Sequence, residues 1–158
     1  MCGIIALFGE EVEGGHHLLH HRGPDDYSTR TLGKCRMDFY RLAINDLTPA
    51  GMQPFKDESS MLVCNGEIYN HKLFRTGQEK STSDCEILMP LIKDIGVEKT
   101  INMINGDFAF VYTDGKHVVA ARDPVGVRPL FYTRYGPESI AFASEVKALL
   151  FLNSEIHI

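Results

Sequence analysis

The sequence predicts an α+β domain built on antiparallel sheet, and three observations carry that expectation. Of its 158 residues 44% are apolar and 23% charged, enough for one core and too few for two full domains. Short segments of alternating or continuous apolar character recur along the chain, punctuated by Gly, Pro and Asp turn signals. One stretch near the middle instead repeats its apolar residues at helical spacing.

In order, strands are expected at residues 3–8, 35–44, 60–65, 107–113, 117–122, 129–134 and 139–143. Phe108 to Tyr112 and Val118 to Ala121 flank Thr113-Asp114-Gly115-Lys116, where Asp-Gly accepts the positive φ of a tight hairpin turn. Ile87, Leu88, Leu91, Ile92 and Ile95 form the stripe of an amphipathic helix. Ser83-Asp84-Cys85-Glu86 reads as its capping box, with Ser83 as N-cap and Asp84 in the first turn, where the helix dipole favours a carboxylate. Pro90 inside the pattern either kinks the helix or moves its start later. Shorter helices are expected at 15–20, 67–74, 97–104 and 144–150. No repeat, linker or low-complexity tract divides the chain, so a single domain over 1–158 is expected.

Composition narrows the function. The longest apolar runs, such as Ile4 to Phe8, are far shorter than the roughly 20 residues of a transmembrane helix, so no membrane partner is expected. Sixteen Lys+Arg against 21 Asp+Glu, with no basic run interleaved with aromatics, argue against nucleic acid. The start has no positively charged leader and residue 2 is not the Gly of a myristoylation signal, which sets the expectation of a cytoplasmic protein. Cys2, Cys35, Cys64 and Cys85 contain no C-x-x-C pair, so neither a zinc site nor a disulfide framework is expected. Cys35, Cys64 and Cys85 read as small buried apolar residues. His16, His17, His20 and His21 include pairs four apart, but no Glu completes an H-E-x-x-H arrangement, and no metal is expected.

Cys2 carries the most chemistry. Removal of Met1 would leave one residue bearing both a thiol and a free α-amine. A free thiol with a pKa of about 8.5 is largely protonated at neutral pH, whereas an α-amine near 7.7–8.0 is partly neutral and can take the thiol proton. Nucleophile and base would then sit on one residue.

Several segments, in chain order, give Cys2 a context: Met1-Cys2-Gly3-Ile4, His21-Arg22-Gly23-Pro24-Asp25, Arg41-Leu42-Ala43-Ile44, Gln53-Pro54, Asn65-Gly66-Glu67-Ile68-Tyr69-Asn70, Ser83-Asp84-Cys85-Glu86, Gly106-Asp107-Phe108-Ala109-Phe110, Arg122 to Leu130 and Ala143-Ser144-Glu145. Together they resemble the glutaminase domain of class II glutamine amidotransferases, and most of all the asparagine synthetase branch. The resemblance implies an N-terminal-nucleophile (Ntn) hydrolase fold, an αββα sandwich of two antiparallel sheets flanked by helices. It implies that Cys2 attacks the side-chain amide of L-glutamine, releasing ammonia, and that water then hydrolyses the thioester to glutamate. The oxyanion donors it assigns are the Asn65 side-chain amide and the Gly66 N–H, where glycine suits close backbone approach or an unusual φ. Arg41, a planar fork of donors, falls on the position that binds the substrate carboxylate. The backbone around Ile44 lines the same pocket, and Glu67 and Asp84 match the positions that hold the ammonium. Arg122 to Leu130 reads as a structural turn, with Arg128 a candidate for the ammonia exit or a partner surface.

The chain also departs from that family. It carries no Ser-Gly-Gly-x-Asp-Ser signature for pyrophosphate, so no cofactor is expected on it. ATP and Mg²⁺ belong instead to a synthetase subunit or domain that would receive the ammonia. The segments between Gly9 and His21 and between Asn70 and Ser83 are shorter than usual for the family. Two functions of different class follow: a glutaminase feeding an ATP-dependent amidation such as asparagine synthesis, or a catalytically silent module that binds glutamine or a partner.

Overall fold

The computed structural model describes residues 1–15 and 17–158. Two antiparallel sheets organise them. The first contains β1 (Gly3–Phe8), β2 (Asp26–Leu32), β3 (Cys35–Arg41), β8 (Phe131–Gly136), β9 (Ser139–Ala143) and β10 (Ile156–His157), in the order β10-β8-β9-β1-β3-β2. The second contains β4 (Phe55–Lys56), β5 (Met61–Ile68), β6 (Gly106–Thr113) and β7 (Val118–Arg122), in that order.

Side chains alternate across a strand, and the core divides accordingly. Ile4 and Ala6 of β1, Met37 and Phe39 of β3, Met61 and Val63 of β5, and Ala109 and Val111 of β6 meet between the sheets. The intervening residues Ile5, Leu7 and Tyr40 face the other way, against Leu19, Ala148 and Leu149. Leu62, Cys64, Phe108 and Phe110 likewise turn outward onto Ile87, Leu88 and Ile92. Each sheet is therefore buried on both faces. That explains why β1 and β5 read as continuous apolar runs rather than alternations.

The outer layer on the second sheet holds α1 (Leu88–Ile95) and α2 (Val97–Met103). Their junction is Gly96, whose φ of 84° only glycine adopts without strain, and whose N–H closes α1 on Ile92 O. Pro90 moves the helix start rather than kinking it. Asp84–Ile87 forms a 3-10 turn, and Pro90 falls in the first turn of α1, where its missing N–H would have had no intrahelical partner. The capping box does not form: Ser83 makes no side-chain cap. The Glu86 carboxylate instead accepts Lys80 N and Ser81 N at 2.8 and 2.9 Å, tying down the loop before it.

The 108–121 hairpin forms as expected, with Thr113 opposite Val118. On the outer face of the first sheet, the helices expected at 15–20 and 144–150 are 3-10 turns, at His20–Arg22, Val146–Ala148 and Leu150–Leu152. The helix expected at 67–74 shrinks to His71–Leu73, because β5 runs on through Ile68. β2, β4 and β10 are strands where none was expected, and β3 ends at Arg41 rather than residue 44. Among the described residues, no helix is long and apolar enough to cross a membrane.

Candidate active site

β1 and β3 start and end beside one another, with Gly3 opposite Tyr40, so Cys2 and Arg41 reach the same end of the first sheet. The end of β5 approaches from the second sheet, and between them opens a cleft of about 630 Å³, counting its mouth. Cys2, Arg41, Ile44, Asn65, Gly66, Glu67 and Asp84 all line it. Every residue assigned to the site from sequence is thus brought together. So are Asn45, Gln53 and Arg128.

The Cys2 thiol is anchored on Leu42, whose N–H donates to Sγ at 3.4 Å and whose carbonyl accepts from it at 3.5 Å. Burial pushes this thiol above its ordinary pKa, against the pull of the Leu42 amide, the N-terminal ammonium and Arg41. It needs a base to react at neutral pH. Arg22 Nε donates to the Cys2 carbonyl at 3.0 Å and fixes the chain around it. Cys85 shares this corner. Its thiol is held well above its ordinary pKa by Cys64 first and by burial next, so it stays protonated.

Asn65 and Gly66 lie within β5, not in a turn. Asn65 is 2% exposed, and among the described residues its side-chain Nδ2 is a buried donor with no hydrogen-bond acceptor. An unmet buried donor is destabilising by about 1–3 kcal/mol unless an acceptor arrives. Gly66 has no positive φ. It must be glycine for another reason: a Cβ there would stand 2.5 Å from Asp107 O and 2.8 Å from Phe108 Cα on β6. The neighbouring strand, rather than an unusual φ, excludes a side chain.

Asp84 is 4% exposed, and both carboxylate oxygens are held: Oδ1 accepts Asn45 Nδ2 at 2.8 Å and Oδ2 accepts Ile68 N at 2.6 Å. These donors replace the helix dipole expected from the capping box. Glu67 is exposed on the rim, where Tyr69 Oη donates to Asp107 at 2.6 Å. Ile44, also on the rim, is 69% exposed. Arg41 is buried, with Nη1 donating to Thr48 O at 2.8 Å and Nη2 to Asp46 O. The Asp46 carboxylate accepts from Thr48 N at 2.7 Å and Thr82 N at 2.7 Å, stitching the 42–48 loop to the segment that carries Asp84. Hydrogen bonds from the Thr48 hydroxyl above all, then from Thr82, outweigh burial and hold this carboxyl far below its ordinary pKa.

The 122–130 segment is a turn, as expected. Buried Asp123 accepts Val127 N and Arg128 N at 2.9 and 3.0 Å while its own N–H reaches Phe108 O, and this leaves Arg128 facing the cleft. Of the histidines, His21 bonds Glu145 at 2.9 Å, and His16 lies outside the described residues. Asn45, Asp46 and Gln53 had no role from sequence. Asn45 and Asp46 carry no pattern that announces one, whereas Gln53-Pro54 stood among the family segments without a function.

The arrangement places the Cys2 thiol, an unmet buried amide donor, the guanidiniums of Arg41 and Arg128 and the carboxylates of Asp46, Glu67 and Asp84 around one cleft. Comparison with known proteins gives this a family. The family model described as a glutamine amidotransferase domain matches residues 1–157. A probable glutamine-hydrolysing asparagine synthetase of Acanthamoeba polyphaga mimivirus is 42% identical over 94% of this chain, which covers 30% of that protein. Glutamine-hydrolysing asparagine synthetase 2 of Arabidopsis thaliana is 40% identical, with 94% of this chain and 28% of that one aligned. The chain thus spans under a third of the length of these relatives. Among solved structures, the glutamine phosphoribosylpyrophosphate amidotransferase of B. subtilis superposes with a TM-score of 0.82 over 99% of this chain and 44% of that one, at 21% identity, and so shares its fold.

Proposed function

Because this chain belongs to the glutamine amidotransferase domain family, we propose that its cleft hydrolyses the side-chain amide of L-glutamine to glutamate and ammonia. The observation that carries the reading is the buried Asn65 Nδ2, a donor without an acceptor in the cleft that also holds the Cys2 thiol. A developing oxyanion supplies what that donor lacks.

Removal of Met1 exposes the Cys2 α-amine. The amine takes the Sγ proton, and the thiolate attacks the amide carbon of glutamine. Asn65 Nδ2 and the Gly66 N–H receive the negative charge that forms on the amide oxygen. The protonated α-amine gives its proton to the leaving nitrogen, the C–N bond breaks, and ammonia departs from a thioester. Water, deprotonated by the same amine, cleaves the thioester to glutamate. Arg41 pairs with the α-carboxylate of the substrate, and Glu67 and Asp84 face its ammonium, so each charge taken from water meets its opposite. No cofactor enters these steps. The ammonia goes to an ATP-dependent synthetase, on a separate partner or in further chain, for an amidation such as asparagine synthesis.

The test is glutamate release from L-glutamine by the Met1-processed chain and by Cys2→Ala. Release that disappears in Cys2→Ala supports the reading. Release that survives in it overturns Cys2 as nucleophile, and glutamine binding without turnover in the processed wild type favours a silent module.

A further inference from the structure

The edge of β5 that faces away from β6 is covered in turn by β4, by Gln53, by the Cys85 thiol, which donates to Gly66 O at 3.7 Å, and by Asp84. β4 pairs with it at Phe55 opposite Leu62 and Lys56 opposite Met61. Continuing that register puts residue 53 opposite Cys64, but Pro54, which intervenes, has no N–H to donate and the strand has already ended. The Gln53 side chain takes the place of a main-chain peptide. Its Oε1 accepts Cys64 N at 2.6 Å and its Nε2 donates to Cys64 O at 3.1 Å, the paired exchange that two facing antiparallel residues make. Gln53 is 4% exposed, so water does not compete for either bond.

Main-chain groups alternate between the two edges of a strand. Cys64 N points to Gln53, and Ile68 N, four residues on, points to Asp84 Oδ2 at 2.6 Å. Gly66 lies midway, so its N–H faces this same edge, where the cleft opens. We infer that Gln53 is a positioning residue: by holding the Cys64 peptide groups from the side β6 cannot reach, it sets the direction of the Asn65 and Gly66 donors that follow. This inference rests on the hydrolase reading. Without Gln53, the Cys64 peptide groups lose both side-chain bonds on this edge, and up to Gly66 only the weak Cys85 thiol bond to Gly66 O, at 3.7 Å, remains there to oppose a tilt of the peptide planes. Donor displacements near 1 Å are enough to cost about 10²-fold in rate.

The variants are Gln53→Glu, which keeps the size and the acceptor for Cys64 N but sets a carboxylate oxygen against Cys64 O, and Gln53→Leu, which removes both bonds. If Gln53→Leu fails to fold, Gln53→Glu carries the test. The expected result is a roughly tenfold or greater loss of kcat for glutamate release with KM within about threefold. Combined with Asn65→Ala, the loss is not multiplicative, because both changes act on the same donors. Hydrogen exchange of the Cys64 amide speeds up by about tenfold or more in the variant, whether or not the chain turns over glutamine. Unchanged Cys64 exchange, unchanged kcat, or fully multiplicative losses overturn the inference. A processed wild-type chain that releases no glutamate overturns the hydrolase reading instead, and the exchange measurement still decides whether Gln53 holds this edge.

Discussion

Arg22 joins Glu145 to the first residue of the site: its Nε donates to the Cys2 carbonyl at 3.0 Å while its Nη1 bonds Glu145 Oε1, also at 3.0 Å. Residues 20 and 123 positions apart from Arg22 are thereby fixed by one planar fork. The thiol position thus depends on an ion pair at the far end of the chain.

That pair has a pH signature. Burial alone would raise the Glu145 carboxyl, but hydrogen bonds from Arg22, His21 and Lys147 outweigh it and bring the pKa down to about 2 from an ordinary 4.5. A carboxylate depressed in the folded state stabilises fully above its unfolded pKa and loses that contribution as pH falls through the folded value. Unfolding free energy from denaturant titration is therefore expected to drop between about pH 4.5 and pH 2, and to drop less in Glu145→Gln. Equal acid sensitivity in the two proteins would show that Glu145 does not contribute.

Asn65→Ala removes a side-chain donor while leaving β5 paired with β6. Turnover is expected to fall by about 10²–10³ in kcat, the usual effect of deleting one oxyanion donor, with a much smaller change in KM. Steady-state kinetics of glutamate release measure both. A rise in KM at unchanged kcat would instead make Asn65 a substrate-binding group.

Asn45 is the direct neutral partner of the buried Asp84 carboxylate, at 2.8 Å. Asn45→Ala takes away a hydrogen bond to a charged group, an interaction of about 1.5–3 kcal/mol, and lets the Asp84 carboxylate turn from its present direction. The expected outcome is an increase of about tenfold in KM for glutamine with kcat within about threefold. Asn45→Asp, which sets two carboxylates side by side, is expected to raise KM further. Wild-type KM in both variants would remove Asp84 from the ammonium site.

Activity is also expected to follow the α-amine of processed Cys2. With Met1 in place burial raises the Cys2 thiol above its ordinary pKa, so a base has to take its proton, and the processed amine can do so only when it is neutral. The rate should rise from acid pH to a plateau above about pH 8, where a free α-amine has lost its proton. A flat profile down to about pH 5 would exclude that amine as the base.

Much of this was legible in the sequence because strands buried on both faces read as short continuous apolar runs: Met61 and Val63 face one core and Leu62 and Cys64 the other, as do Ala109 and Val111 against Phe108 and Phe110. β2 was not legible, since its residues are mostly exposed at the sheet edge and carry no apolar alternation. The short helices became 3-10 turns because Leu19, Ala148 and Leu149 cap a sheet face with single buried side chains, which needs no long amphipathic stripe. Within the site, residues with distinctive chemistry announced themselves. Asn45, Asp46 and Gln53 did not, because each works through hydrogen bonds to backbone or to a partner distant in sequence, which no local pattern encodes.

Whether a processed Cys2 is the nucleophile of a glutamine site is read most simply from intact mass before and after incubation with an electrophilic glutamine analogue such as 6-diazo-5-oxo-norleucine, with the adduct mapped by peptide digestion. It needs no ammonia acceptor. The expected result is loss of Met1 and one adduct, on Cys2, that excess L-glutamine suppresses. A processed chain that stays unlabelled, or that is labelled at Cys64 or Cys85 instead, would contradict it.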